Sequence, residues 1–442
     1  SDLRGPTKGG KYSMQRRFFA PVVVLTIVVG GACLAQGFVL PGTTLQLVRT
    51  KAFTFNDFGW RLRVSLRGES LRSAKHSCGA RRALAMTADD DEWISTKVVQ
   101  ARARTRTPKF DTRSSMKGET DWARYAGLSV MGFKGGTITM ARAKNQDSVF
   151  AGQVGDSSTL FAVFDGHGDA GHEVSQFLVQ RVVNAITPAV EVVEAASGQV
   201  EVADVQGVLD EAMDELHEEL ERQKFDSHLS GSTGILLLVA GEKGRRRMIV
   251  ANVGDCRAIV TSEGWGGKMT TAQLSVDQSP DRTDERQRIE QLGGVVGMVL
   301  GDGMDDARVI SVEEAAQLNV DLGPARVFFK ENEWKPPHDK CFPGLAMSRS
   351  LGDSILDELG VVPVPEVSVR DIKPKDRFLV LASDGIWQVL SNEEVAALVT
   401  ASNGNPSAAC EALFNEAKER WEDQDSGPYR DDISVFVIDL QR

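Results

Sequence analysis

The stretch FAVFDGHGD, residues 161–169, runs four strand-forming residues straight into Asp165, Gly166 and His167. A carboxylate and an imidazole two residues apart at a rigid strand end can bind a metal or move a proton. The same letters also read as a turn, because Asp-Gly is common where chains reverse. Acids recur where other apolar runs begin or end. Asp147 stands in RAKNQDSVF, Asp255 in VANVGDCRAIV, Asp353 in GLAMSRSLGDS, Asp384 in FLVLASDGIW, and Asp431 with Asp432 in PYRDDISVFVI. One such acid is a turn; several, spread from residue 147 to residue 432, suggest strand ends converging on one acidic centre. Carboxylates do not gather in ionised form without cations. Hard oxygen ligands without paired His or Cys suit Mg²⁺ or Mn²⁺ rather than zinc. Asp384 alone reads equally well as a turn acid or a ligand.

The elements that must carry these acids are legible as apolar runs bounded by Gly, Asp or Ser. Strands are expected at Ser158–Phe164, Gly234–Ala240, Met248–Val253, Ala258–Thr261, Phe378–Ala382 and Ile433–Leu440. Helices are expected at Ala170–Ala185, Asp204–Lys224, Thr283–Leu292, Glu393–Ala401 and Ser407–Trp421, with Asn392 and Asn405 as caps. GDCR, between two strands, reads as a tight hairpin-like turn. Together these favour antiparallel sheets with helices outside. One long domain is expected over 121–442, after a polar, basic, flexible linker at 87–120.

The composition bounds the function. Of 442 residues, 41% are apolar and 26% charged, as in soluble globular proteins. Residues 1–86 carry a net charge of +11 and the remaining 356 carry −22. An acidic body argues against non-specific nucleic-acid binding. Cys33, Cys78, Cys256, Cys341 and Cys410 are scattered without a CxxC pair, so neither a disulfide framework nor a zinc site is expected.

The leader has its own grammar. Residues 1–13 precede the first Met and are upstream of any signal. Met14, Arg16 and Arg17 open a basic region, an uncharged apolar run follows, and Ala32 and Ala35 fit a cleavage site, so 14–36 reads as a signal peptide. A membrane anchor is the rival, weakened by Pro21 and Gly30-Gly31. Residues 37–86 hold nine Lys/Arg against two acids, a transit-peptide composition, and Phe38 follows the cleavage point. The pair resembles the bipartite presequence of complex plastids. It implies a plastid location by the secretory route and no stable membrane association once cleaved; a membrane-anchored or secreted protein is the alternative.

The acids belong to a longer series of motifs: RAKNQD, FAVFDGHGD, GSTG, ANVGDCRA, SVDQSP, ERQRIEQLGGVV, PGLAMSRSLGD, VPEV, FLVLASDGIWQVL and YRDDISVFVIDL. In this order they resemble the metal-dependent type 2C (PPM family) protein serine/threonine phosphatases, over about 121–442. The resemblance implies an α+β fold, a four-layer α/β/β/α sandwich of two mainly antiparallel sheets flanked by helices, with a metal site at one end between the sheets. It implies hydrolysis of phosphoserine and phosphothreonine in proteins by direct attack of a metal-bridging water. The implied cofactors are two Mg²⁺ or Mn²⁺ per site and a weaker third, the partners phosphoprotein substrates, the state a monomer.

Carried over by motif, Asp165 would bridge two metals and Gly166 would lend its carbonyl to one. Asp353 and Asp431 would bind the other, Asp147 would hold metal-bound water, and Asp255 would serve the third. Arg142 would grip the substrate phosphate and His167 would protonate the leaving oxygen. Neither a GxSxG elbow nor a CxxxxxR loop is present, in keeping with attack by water. Gln146, Gln278, Gln388 and Asp432 depart from the family's common residues without removing a primary ligand. GSTG is expected to serve close backbone packing, and His172, His217, His228 and His338 to be ordinary surface or core histidines. The segment 295–342 corresponds to the family's flap and is expected to govern substrate choice. A catalytically weak or dead regulatory module and a phosphoesterase of unrelated fold are the rival readings.

Overall fold

The computed structural model describes residues 23–29, 32–38, 113–134, 144–196, 200–242, 245–301, 308–318, 322–330, 343–423 and 429–440. Two compact units divide at residue 103. In the first, the backbone of β1 (Val23–Val29) pairs antiparallel with β2 (Ala32–Phe38). The rest of the signal-like and transit-like segments lies outside the described residues. No described helix is long and apolar enough to cross a membrane.

The second unit holds two large sheets. The first orders β17 (Leu351–Gly352), β8 (Gly231–Ser232), β7 (Ser158–His167), β9 (Gly234–Ala240), β10 (Arg247–Val253) and β18 (Glu366–Asp371), with β6 (Asp147–Val154) also on β7. The second orders β12 (Met269–Gln273), β11 (Arg257–Glu263), β19 (Asp376–Ala382), β21 (Ile433–Asp439), β4 (Arg124–Val130) and β3 (Arg113–Glu119). β3 starts within the stretch expected to be linker, so the folded body extends upstream of residue 121.

The strand sequences dictate how the sheets stack. Successive side chains on a strand face opposite ways, so a continuous apolar run must be covered on both faces. On β7, Leu160, Ala162 and Phe164 pack under helices α1 (Gly171–Ala185), α2 (Thr187–Ala195) and α3 (Val202–Glu221). Phe161 and Val163 point the other way, into a core shared with Leu379, Leu381, Phe436 and Ile438 of the second sheet. That sheet turns Val380, Ala382, Val435 and Val437 outward against α7 (Asn392–Ala401) and α8 (Pro406–Glu422). Helix, sheet, sheet and helix are therefore layered as the expected sandwich, and the strand pairings are antiparallel. At the seam, the Phe161 ring meets Tyr125 and Phe436 edge-on, at centroid distances of 5.0 and 5.6 Å. Burying an aromatic ring of this size contributes about 1.5–3 kcal/mol.

Two local expectations are corrected. GDCR is not a hairpin: β10 pairs with β9 and β18, whereas β11 pairs with β12 and β19. The turn carries the chain from one sheet to the other, because both strands are apolar on two faces and each needs its own pair of neighbours. Asn392 is the first residue of α7 and not its cap. Ser391 caps the helix in a reciprocal box with Glu394, and the Asn392 amide oxygen instead accepts from Arg257 at 3.0 Å. Asn405 caps α8 as expected.

The flap segment forms its own small sheet, β14 (Arg308–Ile310), β13 (Val295–Leu300), β15 (Arg326–Phe328) and β16 (Pro343–Leu345), with α4 (Thr283–Gln291) before it and α5 (Val312–Leu318) inside it. Its core joins Ile289, Val296 and Val327 to Leu356 and Leu359 of the 3₁₀ turn that follows Asp353. A short ladder, β5 (Phe133–Lys134) with β20 (Tyr429–Arg430), and the one-turn helix α6 (Asp384–Trp387) complete the unit.

Candidate active site

Strand register assembles the acidic centre. β6 and β7 pair so that Asp147 lies directly opposite Asp165. From the second sheet, β19 ends one residue before Ser383, whose hydroxyl donates to Asp147 Oδ2 at 2.9 Å. The next residue, Asp384, opens α6 and brings its carboxyl close enough to Asp165 for the two to repel. Asp431 lies just before β21, its Oδ2 accepting from the Tyr429 hydroxyl at 2.8 Å. The inter-sheet turn brings Asp255 to the same end. Asp353 arrives after β17, which joins β7 through β8. Its Oδ2 takes the Ser350 hydroxyl at 2.7 Å and lies 2.6 Å from His167 Nε2.

The electrostatics report the crowding. Burial, then the facing Asp147, Asp384 and Asp431 charges, push the Asp165 carboxyl well above the carboxylate range. Burial and Asp431 do the same to Asp384. Asp147 is pushed up to about 7 by burial and by Asp432. Asp255 rises to about 6, through burial and Asp277, with the His167 charge opposing. Acids repelling one another at the closed end of a sandwich are what a bound cation would relieve. A second observation agrees: Asp147 Oδ1, Asp255 Oδ1 and Asp384 Oδ1 are buried without a hydrogen-bond partner. Buried carboxylate oxygens are rarely left so. Oxygen-only donors of this kind fit a hard divalent metal.

The expected residues fare as follows. Asp147, Asp165, Asp255, Asp431 and His167 meet at this end of the seam, with Gly166 between Asp165 and His167 on β7, its N–H donating to Gln146 O at 3.1 Å. Asp353 joins them through His167. Arg142 lies outside the described residues. Asp384, which sequence reasoning left undecided, belongs to the cluster. Its signal was present, since it ends an apolar run as the other acids do. GSTG packs closely, as expected: a Cβ on Gly231 would sit 2.2 Å from Asp353 Oδ2.

The departures from the family pattern are braced locally. Both ends of the Gln278 amide bond the inter-sheet turn, accepting from Gly254 N–H at 2.6 Å and donating to Asn252 O at 3.0 Å. Gln388 donates to Asp384. Gln146 donates to Gly168 O at 2.6 Å. The buried Asp432 carboxylate accepts backbone N–H groups from Gly132 and, at 2.8 Å, Gln146, tying β21 to the loop before β6.

Comparison with known proteins agrees with this geometry. The sequence profile of the protein phosphatase 2C family matches residues 130–424. An Arabidopsis thaliana protein named "Probable protein phosphatase 2C 72" is 30% identical over 309 residues, covering 69% of this chain and 84% of that one. "Probable protein phosphatase 2C 73" from the same plant is 33% identical over 293 residues, 63% of this chain and 70% of its own. Among solved structures, the serine-threonine phosphatase 2C of Toxoplasma gondii covers 74% of this chain and 99% of its own, with a TM-score of 0.53 at 19% identity, a likeness of fold. The chain belongs to the protein phosphatase 2C family, the metal-dependent protein serine/threonine phosphatases.

Proposed function

We propose that the acidic centre holds two Mg²⁺ or Mn²⁺ ions and a weaker third, and hydrolyses phosphoserine and phosphothreonine in proteins. The three buried, unpartnered carboxylate oxygens of Asp147, Asp255 and Asp384 carry this reading. Asp165 and the Gly166 carbonyl, with Asp147, Asp353, Asp431 and Asp384, would hold the main pair, and Asp255 the third. When bound, such ions neutralise phosphate charge and make water nucleophilic at neutral pH. His167 Nε2 faces the Asp353 carboxylate at 2.6 Å, and the ring in its imidazolium form would give a proton to a departing serine or threonine oxygen and return to neutral imidazole. Arg142 holds the phosphate with a guanidinium fork, a role resting on its motif alone. The test is phosphopeptide hydrolysis by the full chain with Mn²⁺, Mg²⁺ or EDTA. Turnover that survives complete chelation would overturn the reading.

The leader, 14–86, directs the protein to a plastid by the secretory route. Its charge pattern supports this. Fused to a fluorescent reporter in a host with complex plastids, 14–86 should reach the plastid while 14–36 alone stops at secretion. Retention of the longer fusion in the endoplasmic reticulum would favour an anchor.

A further inference from the structure

His217 is a buried residue on α3, the helix that packs against β17. Its Nδ1 accepts the Gly352 N–H at 3.2 Å, and its Nε2 lies 3.2 Å from Asp357 Oδ2. A backbone N–H can only donate, so Nδ1 is unprotonated and the ring hydrogen sits on Nε2, facing the carboxylate. One imidazole thus spans residues 352 and 357, on either side of Asp353. The backbone between them is unusual. Gly352 has φ +91° and Asp353 φ +54°. A non-glycine residue in the left-handed region is held there only when its surroundings insist. Part of that hold is backbone: Asp353 N–H reaches Ser230 O at 3.0 Å and Ile355 N–H reaches His228 O at 3.3 Å. Gly352 sits too close for any side chain, since a Cβ there would meet Ser230 O at 2.6 Å.

We propose that His217 is a positioning residue for Asp353: its Nδ1, by accepting the Gly352 N–H, holds the left-handed turn so that the carboxylate faces the acidic centre. The proposal rests on the reading of Asp353 as a metal ligand. His217 does not touch the reacting atoms, and sequence reasoning placed it among ordinary histidines. Groups that orient a ligand from behind typically govern metal affinity by 10–100-fold.

The test is Mn²⁺ titration calorimetry on the full chain, with Asp353→Asn as reference. His217→Asn keeps an acceptor where Nδ1 lies and is too short for Asp357. His217→Gln reaches Asp357 but leaves the Gly352 N–H without its acceptor. His217→Leu supplies neither. The expected result is roughly tenfold weaker Mn²⁺ binding for the Gln and Leu variants and affinity within about twofold of wild type for Asn. Equal affinities for Asn and Gln, or a Leu variant that binds as wild type does, overturn the proposal. If the Leu variant fails to fold, the Asn–Gln comparison decides alone. Unchanged binding by Asp353→Asn would instead sink the ligand reading, and the clamp with it. Weakened binding there, with all His217 variants normal, sinks the clamp only.

Discussion

Glu285→Gln should destabilise the body and loosen its flap. Glu285, on α4, is fully buried and accepts from Arg288 at 2.6 and 2.9 Å, Arg349 at 2.7 Å, Arg282 at 3.1 Å and the Ser348 hydroxyl. Burial alone would raise this carboxyl, but the Arg288, Arg349 and Ser348 hydrogen bonds hold it far below the usual range. Breaking a buried ion pair from one side costs about 3–5 kcal/mol. The lower end applies here, because other acceptors remain. Arg282 and Arg349 keep Glu366, and Arg288 keeps the Gly360 and Ser348 carbonyls. A loss of about 3 kcal/mol corresponds to a fall in melting temperature of roughly 4 to 5 °C for a domain of this size. The sign with pH follows from the depressed value. The stabilisation is fully present above the unfolded carboxyl's titration near 4.5 and fades as pH drops toward the folded one. Thermal melts of wild type and variant from pH 7 to pH 3 check this. The gap should be widest at pH 7 and narrow below about pH 4. Coincident melting curves at pH 7, or a gap that grows on acidification, would mean that Glu285 does not hold the arginines as an ionised carboxylate.

His167→Gln should lower phosphopeptide turnover by about 10²–10⁴, the worth of a general acid, but nitrophenyl phosphate turnover much less, since nitrophenolate leaves unprotonated. Equal kcat losses at saturating Mn²⁺ would remove His167 from that role. Asp384→Asn should weaken Mn²⁺ binding in calorimetry on the order of tenfold or more, as expected of a group in a metal site; unchanged affinity would return Asp384 to the turn acids. Chelated protein should lose stability as pH rises from about 3.8, where these carboxyls ionise in the unfolded chain, to about 6 to 7, where Asp255 and Asp147 ionise in the folded one, and Mn²⁺ should abolish that slope. A flat melting profile in EDTA would count against the crowding. Exchanging residues 295–342 for a relative's flap should change the ranking of phosphoprotein substrates while leaving nitrophenyl phosphate hydrolysis within about twofold; an unchanged ranking would move specificity elsewhere.

Much of this architecture could be read from the chain, for reasons that also mark the limit. β9 was legible to the residue because Gly234–Ala240 is an unbroken apolar run with glycine on one side, buried on both faces. The acids at strand ends were legible because each breaks such a run. A run's period says nothing about which sheet receives the next strand, so GDCR looked like a hairpin when it crosses the seam. β3 was invisible because its side chains are mostly exposed and polar, and pairing with β4 alone defines it. Glu285 heads the ERQRIEQLGGVV motif, which says nothing of its role, and His217 carried no local signal. Arg282 and Arg288 lie three residues from Glu285, but Ser348 and Arg349 lie 63 and 64 away and the partners of His217 135 to 140 away, so only the packed fold reveals what the two residues hold together.

β21 lies in the middle of the second sheet, between β19 and β4, with Ile433 opposite Val130. The last strand of the unit is therefore the keystone for one made near its start. Until it emerges, β19 and β4 each present an open, apolar edge, the kind of surface chaperones guard in slow-folding, non-local topologies. Asp431 arrives on the same segment, so a nascent chain that has not reached it lacks both the central strand and one wall of the acidic centre. On the proposed reading of the acidic centre, activity should appear only once the chain has passed residue 439, the end of β21.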